Sequence, residues 1–199
     1  MDRKSSDRLD EIMEDIRKKY GSCLGNEIFE KIVDLNKVIT FKKGSLIITE
    51  NKGFLLLSGA IRGFYLDADG NDVTHMFLFE GSAYGSGFLT TDKPQVCSFE
   101  AVEDCTAAEL NTRVLSERLK EDKSLMMAYI HMLEEALKRK ILRETSFVTK
   151  TAAERYLDLK AEFPGIEKRV SQTHIASYLG ISPVSLSRIR RILREVQEK

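Results

Sequence analysis

No stretch of 18 apolar residues occurs anywhere in the 199-residue sequence, so no segment is built to cross a bilayer as a helix. The N-terminus, MDRKSSDRLDEIMEDI, is charged and lacks the apolar core of a secretory signal, so a cytoplasmic protein is expected, with no membrane among its partners. Cysteine is scarce: Cys23, Cys97 and Cys105 are far apart and form no CxxC pair, which argues for free thiols rather than disulfides or a metal cluster. Nothing around Cys97 or Cys105 would lower a thiol pKa, so neither is read as a redox sensor. There is no P-loop and no nucleophile–base pair. Of the three histidines only His75 falls in the β-type region, too few for a metalloenzyme site. No enzyme, no catalytic residue and no metal are expected.

Net charge is missing as well, with 31 basic residues against 31 acidic ones. The balance hides a gradient. Residues 165–199 hold seven basic groups and three acidic ones, a net +4 that leaves −4 on residues 1–164. A basic terminal module on a mildly acidic body suits a reader of polyanions, although a solvated helix face gives similar numbers.

What is present is ordinary globular composition, 42% hydrophobic and 31% charged, at a length suited to a medium domain plus a small one. Leu9, Ile12, Met13 and Ile16 form a helical stripe within residues 5–20. From about 36 to 110 the texture is short β-type runs separated by turn signals such as Ser58-Gly59, Asp69-Gly70 and Gly81-Ser82, which argues for a sandwich, roll or barrel. After residue 112 the pattern is helical. Met126, Tyr129, Ile130, Leu133, Leu137 and Ile141 recur at spacings of three and four within residues 122–148, a helix of about 40 Å. Such a helix can pack along its own β domain or form a two-chain seam, and these six residues are the candidate dimer contacts. Thr151-Ala152-Ala153-Glu154 reads as a capping box that opens the next helix. The expected organisation is therefore 1–120, a β domain with an N-terminal helix; 121–150, a long dimerisation helix; and 151–199, a second, helical domain.

Residues 169–196, RVSQTHIASYLGISPVSLSRIRRILREV, decide the functional reading. Ser171 can cap a helix whose inner face is Ile175, Ala176 and Leu179, and Gly180 stands where that helix must end left-handed. Ser182 then caps a second helix with Pro183 in its first turn. Leu186, Ile189 and Leu193 face inward, and Ser185, Arg188, Arg191 and Arg194 face outward with no acid between 183 and 194. Helix, tight glycine turn, helix is the DNA-binding helix-turn-helix pattern, and Arg is the side chain that reads guanine bidentately. Ser171, Gln172, Thr173, Ser182, Pro183, Ser185, Arg188, Arg191 and Arg194 are the candidate DNA contacts.

The order of parts, and the stretches FKKGSLI (41–47), LLLSGAIRGFYLDADG (55–70), FEGSAYGSGFL (79–89) and 170–193, resemble the catabolite-activator and fumarate-nitrate-regulator (Crp-Fnr) family of bacterial transcription regulators. The resemblance implies an α+β fold: an N-terminal β-roll of the cyclic-nucleotide-binding jelly-roll type, a long dimerisation helix, and a C-terminal helix-turn-helix domain. In that domain 171–179 would be the positioning helix and 183–196 the recognition helix. It also implies a homodimer on double-stranded DNA, and leaves RNA polymerase and an unidentified small-molecule effector open as further partners.

Three departures qualify the likeness. Nucleotide-binding relatives carry Gly-Glu and Arg-Ser or Arg-Thr pairs, whereas Gly85 here precedes Ser86 and the second site reads Gln95-Val96. A buried cyclic phosphate without a cation is strongly disfavoured, so no response to cyclic AMP is expected. The iron–sulfur branch needs four cysteines, which excludes that cluster. The family's wing is expected to be reduced or absent, which shifts phosphate anchoring onto Arg190, Arg191, Arg194, Lys168 and Gln172.

His75, in phase with Val73, Phe77 and Phe79, reads as a core or pocket residue and not as a haem ligand. Tyr84, Gly85, Ser86, Gln95, Val96, Met126 and Tyr129 are candidates for an effector pocket between roll and long helix, with plain core as the alternative. The rival function is a small-molecule-binding or protein-interaction module whose helix-turn-helix is vestigial.

Overall fold

A computed structural model describes residues 10–12, 14–15, 32–48, 52–85 and 97–197. Among the described residues eight strands form the first half of the chain: β1 (Val33–Phe41), β2 (Leu46–Ile47), β3 (Gly53–Ser58), β4 (Ile61–Leu66), β5 (Asp72–Leu78), β6 (Ala83–Gly85), β7 (Ser98–Ala101) and β8 (Cys105–Leu110). They pair antiparallel in two four-stranded sheets, ordered β1-β8-β3-β6 and β2-β7-β4-β5. The chain changes sheet at every connection except β4–β5, the hairpin turned at Asp69-Gly70, where Gly70 takes φ 81°. This is the expected β-roll.

The sequence of β3, GFLLLS, shows why the roll holds together. Phe54 and Leu56 point between the sheets to Ile47, Ile61, Tyr84 and Phe99. Leu55 and Leu57, one residue out of phase, point to the outer face and join Ile12, Ile32, Val33 and Leu110. A strand covered on both faces needs no polar residue, and each such side chain contributes roughly 1.5–3 kcal/mol of burial. Of the expected N-terminal helix, 10–12 and 14–15 are helical and Ile12 is buried; the rest of residues 5–20 lies outside the described residues.

The phase assigned to His75 is corrected by a bulge. Gly63 pairs with Met76 and Phe64 with Thr74, so His75 drops out of register between them. Thr74 and Phe77 are therefore buried, Val73 is exposed, and the His75 ring stacks on Tyr65 at 4.5 Å.

Six helices follow: α1 (Thr112–Glu121), α2 (Lys123–Thr149), α3 (Ala152–Glu162), α4 (Ile166–Arg169), α5 (Gln172–Leu179) and α6 (Pro183–Gln197). Asp122 separates α1 from α2, and its carboxylate accepts from the amides of Ser124 (2.8 Å) and Leu125 (3.0 Å). Leu125 anchors the start of α2 and is the one fully buried residue among its described side chains, while Met127, Ile130, Leu133, Leu137, Ile141 and Val148 are exposed. Met126, Tyr129, Met132 and Arg143 are half-buried, so the long helix leaves one apolar stripe open to solvent. Thr151 forms the capping box with Glu154 that begins α3.

Candidate nucleic-acid interface

Local chemistry shapes the helix pair. The Ser171 hydroxyl accepts from the His174 amide (3.2 Å) at the start of α5. At its end Gly180 takes φ 67°, its N–H reaches the Ala176 and Ser177 carbonyls, and the Ile181 N–H donates to Ala176 O at 3.0 Å. Two guanidiniums complete that end: Arg143 of α2 donates to Tyr178 O (3.0 Å) and Arg155 of α3 to Leu179 O (3.1 Å), where the helix dipole favours cations. Ser182 accepts from the Ser185 amide (3.1 Å), opening α6. Gln172 Nε2 donates to Pro183 O at 2.9 Å and ties the two helix starts together. Ala176 and Leu186, both 0% exposed, belong to one buried cluster that joins the two helices.

The candidate contacts divide into two groups. Thr173, Pro183, Ser185, Arg188 and Arg191 are exposed on the open side of the pair, whereas Arg194, though exposed, bonds back to Arg190 O through Nε (3.3 Å) and lines the same hollow as Tyr156, Glu167 and Arg190. Arg191 has only its own-helix neighbour Glu195 at 3.8 Å, and Arg188 has no hydrogen bond or ion pair among the described residues. Ser171, Ser182 and Gln172, by contrast, spend their side chains on caps and on Pro183, so they shape the element first. Arg190 does not belong with the phosphate anchors. It turns inward to Glu167 (3.1 Å), which also holds Lys160 (3.2 Å) and accepts the Tyr156 hydroxyl. The outward assignment left out three residues of the open face. Val184, Ser187 and Ile192 are exposed there, and the signal was available in their helical offset from Arg188 and Arg191.

The opposite side of α5 is docked on the roll. Ser177 Oγ accepts from the Thr74 amide at 2.9 Å, Tyr178 stacks on Phe77 at 5.1 Å, and Phe163 stacks on Phe79 at 5.0 Å. Ala60, Phe77 and Val102 of the roll share one cluster with Tyr156, Leu159, Ile175, Leu179 and Leu186. Beneath α5 lies Arg62, 3% exposed, which donates to Glu100 (2.6 Å), Thr74 Oγ1 (3.2 Å) and Asp72. At the edge, Arg169 grips Glu80 through both guanidinium nitrogens (2.9 and 2.7 Å) and Glu103 through Nε (3.0 Å). Burial pushes Glu80 up, but Arg169 and the Gly59 amide more than offset it, and the carboxyl sits below its usual 4.5. Burial, then Arg62, holds His174 below its usual 6.5, and burial, then Arg143, does the same to His75.

Of the effector-pocket candidates, Tyr84 is stacked between Phe54 (5.6 Å) and Phe99 (5.2 Å) in the roll interior, and burial pushes its hydroxyl pKa up. Gly85 ends β6. Met126 and Tyr129 are half-buried on α2, and burial raises the Tyr129 pKa. Ser86, Gln95 and Val96 lie outside the described residues. Burial raises the thiols of Cys97 and Cys105, the latter to about 11. No group of His, Cys, Asp and Glu among the described residues could hold a metal ion, and no described helix is long and apolar enough to cross a membrane.

Residues 38–122 match the cyclic nucleotide-binding domain family. Among solved structures the chain is similar to FixK2 from Bradyrhizobium japonicum, with 19% identity, 81% of this chain and 85% of that chain covered, and a TM-score of 0.71. It is similar to a CooA mutant from Carboxydothermus hydrogenoformans, at 19% identity, 86% and 80% coverage and a TM-score of 0.64. A transcriptional regulator of the Crp/Fnr family from Eubacterium rectale has 18% identity, 86% and 84% coverage and a TM-score of 0.63. No curated protein matches the sequence.

Proposed function

We propose, for a chain with a cyclic nucleotide-binding domain at residues 38–122 and the fold of the Crp/Fnr regulators, that it is a homodimeric, sequence-specific DNA-binding transcription regulator. One observation carries the reading. α6 buries Leu186 and packs Ile189 and Leu193 inward, while its open side offers Ser185, Arg188 and Arg191 with no acid before Glu195. Apart from the Ser182–Ser185 hydroxyl contact and the loose Arg191–Glu195 pair, folding makes no use of this face, and a basic surface with hydroxyls suits the major groove of a duplex. The exposed stripe on α2 supports pairing of two chains, which would set two recognition helices in successive major grooves about 34 Å apart.

No response to cyclic AMP belongs to the same reading. The described interior of the roll is filled by Phe54, Leu56, Tyr84 and Phe99, and its one deeply buried cation, Arg62, is already held by Glu100 and Asp72. Between Arg62 and Arg113 the sequence has no arginine to grip a phosphodiester bidentately. Cyclic AMP does not fit these residues.

Selection of bound sequences from a random duplex pool, followed by gel shift across a salt series, tests the proposal. Affinity should fall steeply with salt, and Arg188→Ala should cost roughly 1–3 kcal/mol and relax base preference. A pool that enriches nothing at low salt, or a selected site bound equally by Arg188→Ala, overturns it. The rival reading, a protein-interaction or small-molecule module, would then take its place.

A further inference from the structure

Folding accounts for the large apolar side chains described in α6 except two, Val184 in the first turn and, about two turns on, Ile192, which is 54% exposed. Leu186 is 0% exposed and Ile189 and Leu193 pack on the shared core, yet Val184 is 63% exposed. At 100° per residue, Val184 lies within about 40° of Arg188 and about 20° of Arg191, and diametrically opposite Leu193. It therefore occupies the middle of the open face, one turn before Arg188, in a first turn held in place by the Ser182 cap and the Gln172 bond to Pro183. Its flanks, Pro183 and Ser185, are exposed too and offer it no cover.

We infer that Val184 is a specificity-determining residue that packs on the 5-methyl group of a thymine. The inference rests on the DNA-binding reading above. The major-groove edge of a duplex presents hydrogen-bond donors and acceptors on every base pair, but only thymine adds an apolar group there. Val184 matches that group in three respects. It is apolar and stands among the polar Ser182, Ser185 and Arg188 at the start of the helix. It is β-branched, so its side chain is nearly fixed on a helix and loses little freedom on contact. It stands in the first turn of the second helix, the part that reaches base edges in helix-turn-helix complexes. Arg188, one turn on, supplies the hydrogen-bonding readout that a valine cannot.

The test replaces thymine by deoxyuridine, which deletes the methyl and leaves pairing unchanged. Each thymine of a selected site is replaced in turn, in one half-site, and affinity is measured for the full-length protein and for Val184→Ser and Val184→Thr. One position should weaken wild-type binding about fourfold, the equivalent of roughly 0.8 kcal/mol for one buried methyl. Val184→Ser should be indifferent to that replacement, and Val184→Thr, which keeps one methyl, should retain part of the penalty. Because Val184 makes no core contact, both variants should melt with the wild type. Tight, sequence-selective binding that no replacement weakens, or a penalty that persists undiminished in Val184→Ser, overturns the inference and leaves the DNA-binding reading standing. A chain that binds no duplex at all overturns both.

Discussion

Arg169→Ala should loosen the helical domain from the roll. The wild-type side chain makes three contacts of 2.7 to 3.0 Å with Glu80 and Glu103 and lies 4.9 Å from the centre of the Phe79 ring. Losing one partner of a fully buried ion pair costs roughly 3–5 kcal/mol, and exposed pairs contribute about 0–1 kcal/mol. Here Arg169 is 31% exposed and its partners 19% and 30%, so solvent screens the group and an intermediate cost of about 2 kcal/mol is expected. For a chain of this length that lowers Tm by about 4–8 °C. The pH dependence follows from Glu80, whose folded pKa is below its ordinary 4.5. Its stabilisation is complete above 4.5 and lost as pH falls through the lower folded value. Thermal melts of wild type, Arg169→Ala, Glu80→Gln and the double variant should show a gap that is full at pH 7 and narrows below pH 4.5. The two substitutions should also be non-additive. A gap under 0.5 kcal/mol at pH 7, or one of constant size into acid, would refute the clamp.

Gly180→Ala should destabilise by more than about 1 kcal/mol in chemical denaturation, because φ 67° is unfavourable for alanine and its Cβ would stand 3.0 Å from the Phe147 ring. Leu137→Asp with Ile141→Asp, both at exposed positions of α2, should leave the monomer folded by circular dichroism and abolish pairing in sedimentation. His174 and His75 have folded pKa values below 6.5, so their contribution is complete above that pH and declines as pH drops toward the folded values. His174→Gln should flatten part of the stability loss below pH 6.5 in melts, and adding His75→Gln should flatten more.

The dependence on sequence differs from feature to feature. The caps at Thr151, Ser171 and Ser182, the turn at Gly70 and the end of α5 at Gly180 were legible, because each is settled by one residue's φ preference or by a side chain bonding a backbone group within four residues. The strand runs and the inward faces of α5 and α6 were legible from periodicity for the same reason.

What lay beyond the sequence were relations between elements. Arg190 matches Arg188, Arg191 and Arg194 in type, and only packing turned it inward to Glu167 while Arg188 stayed in solvent. Arg169 meets carboxylates 89 and 66 residues away, and Ser177 meets Thr74 across 103. The bulge at His75 broke an alternation that looked regular in one dimension. Sequence alone determined where this chain makes helices and strands and which of their faces are apolar. Tertiary structure decided which polar groups those faces leave over for a partner, because burial and ion pairing depend on distances that close only when remote segments pack.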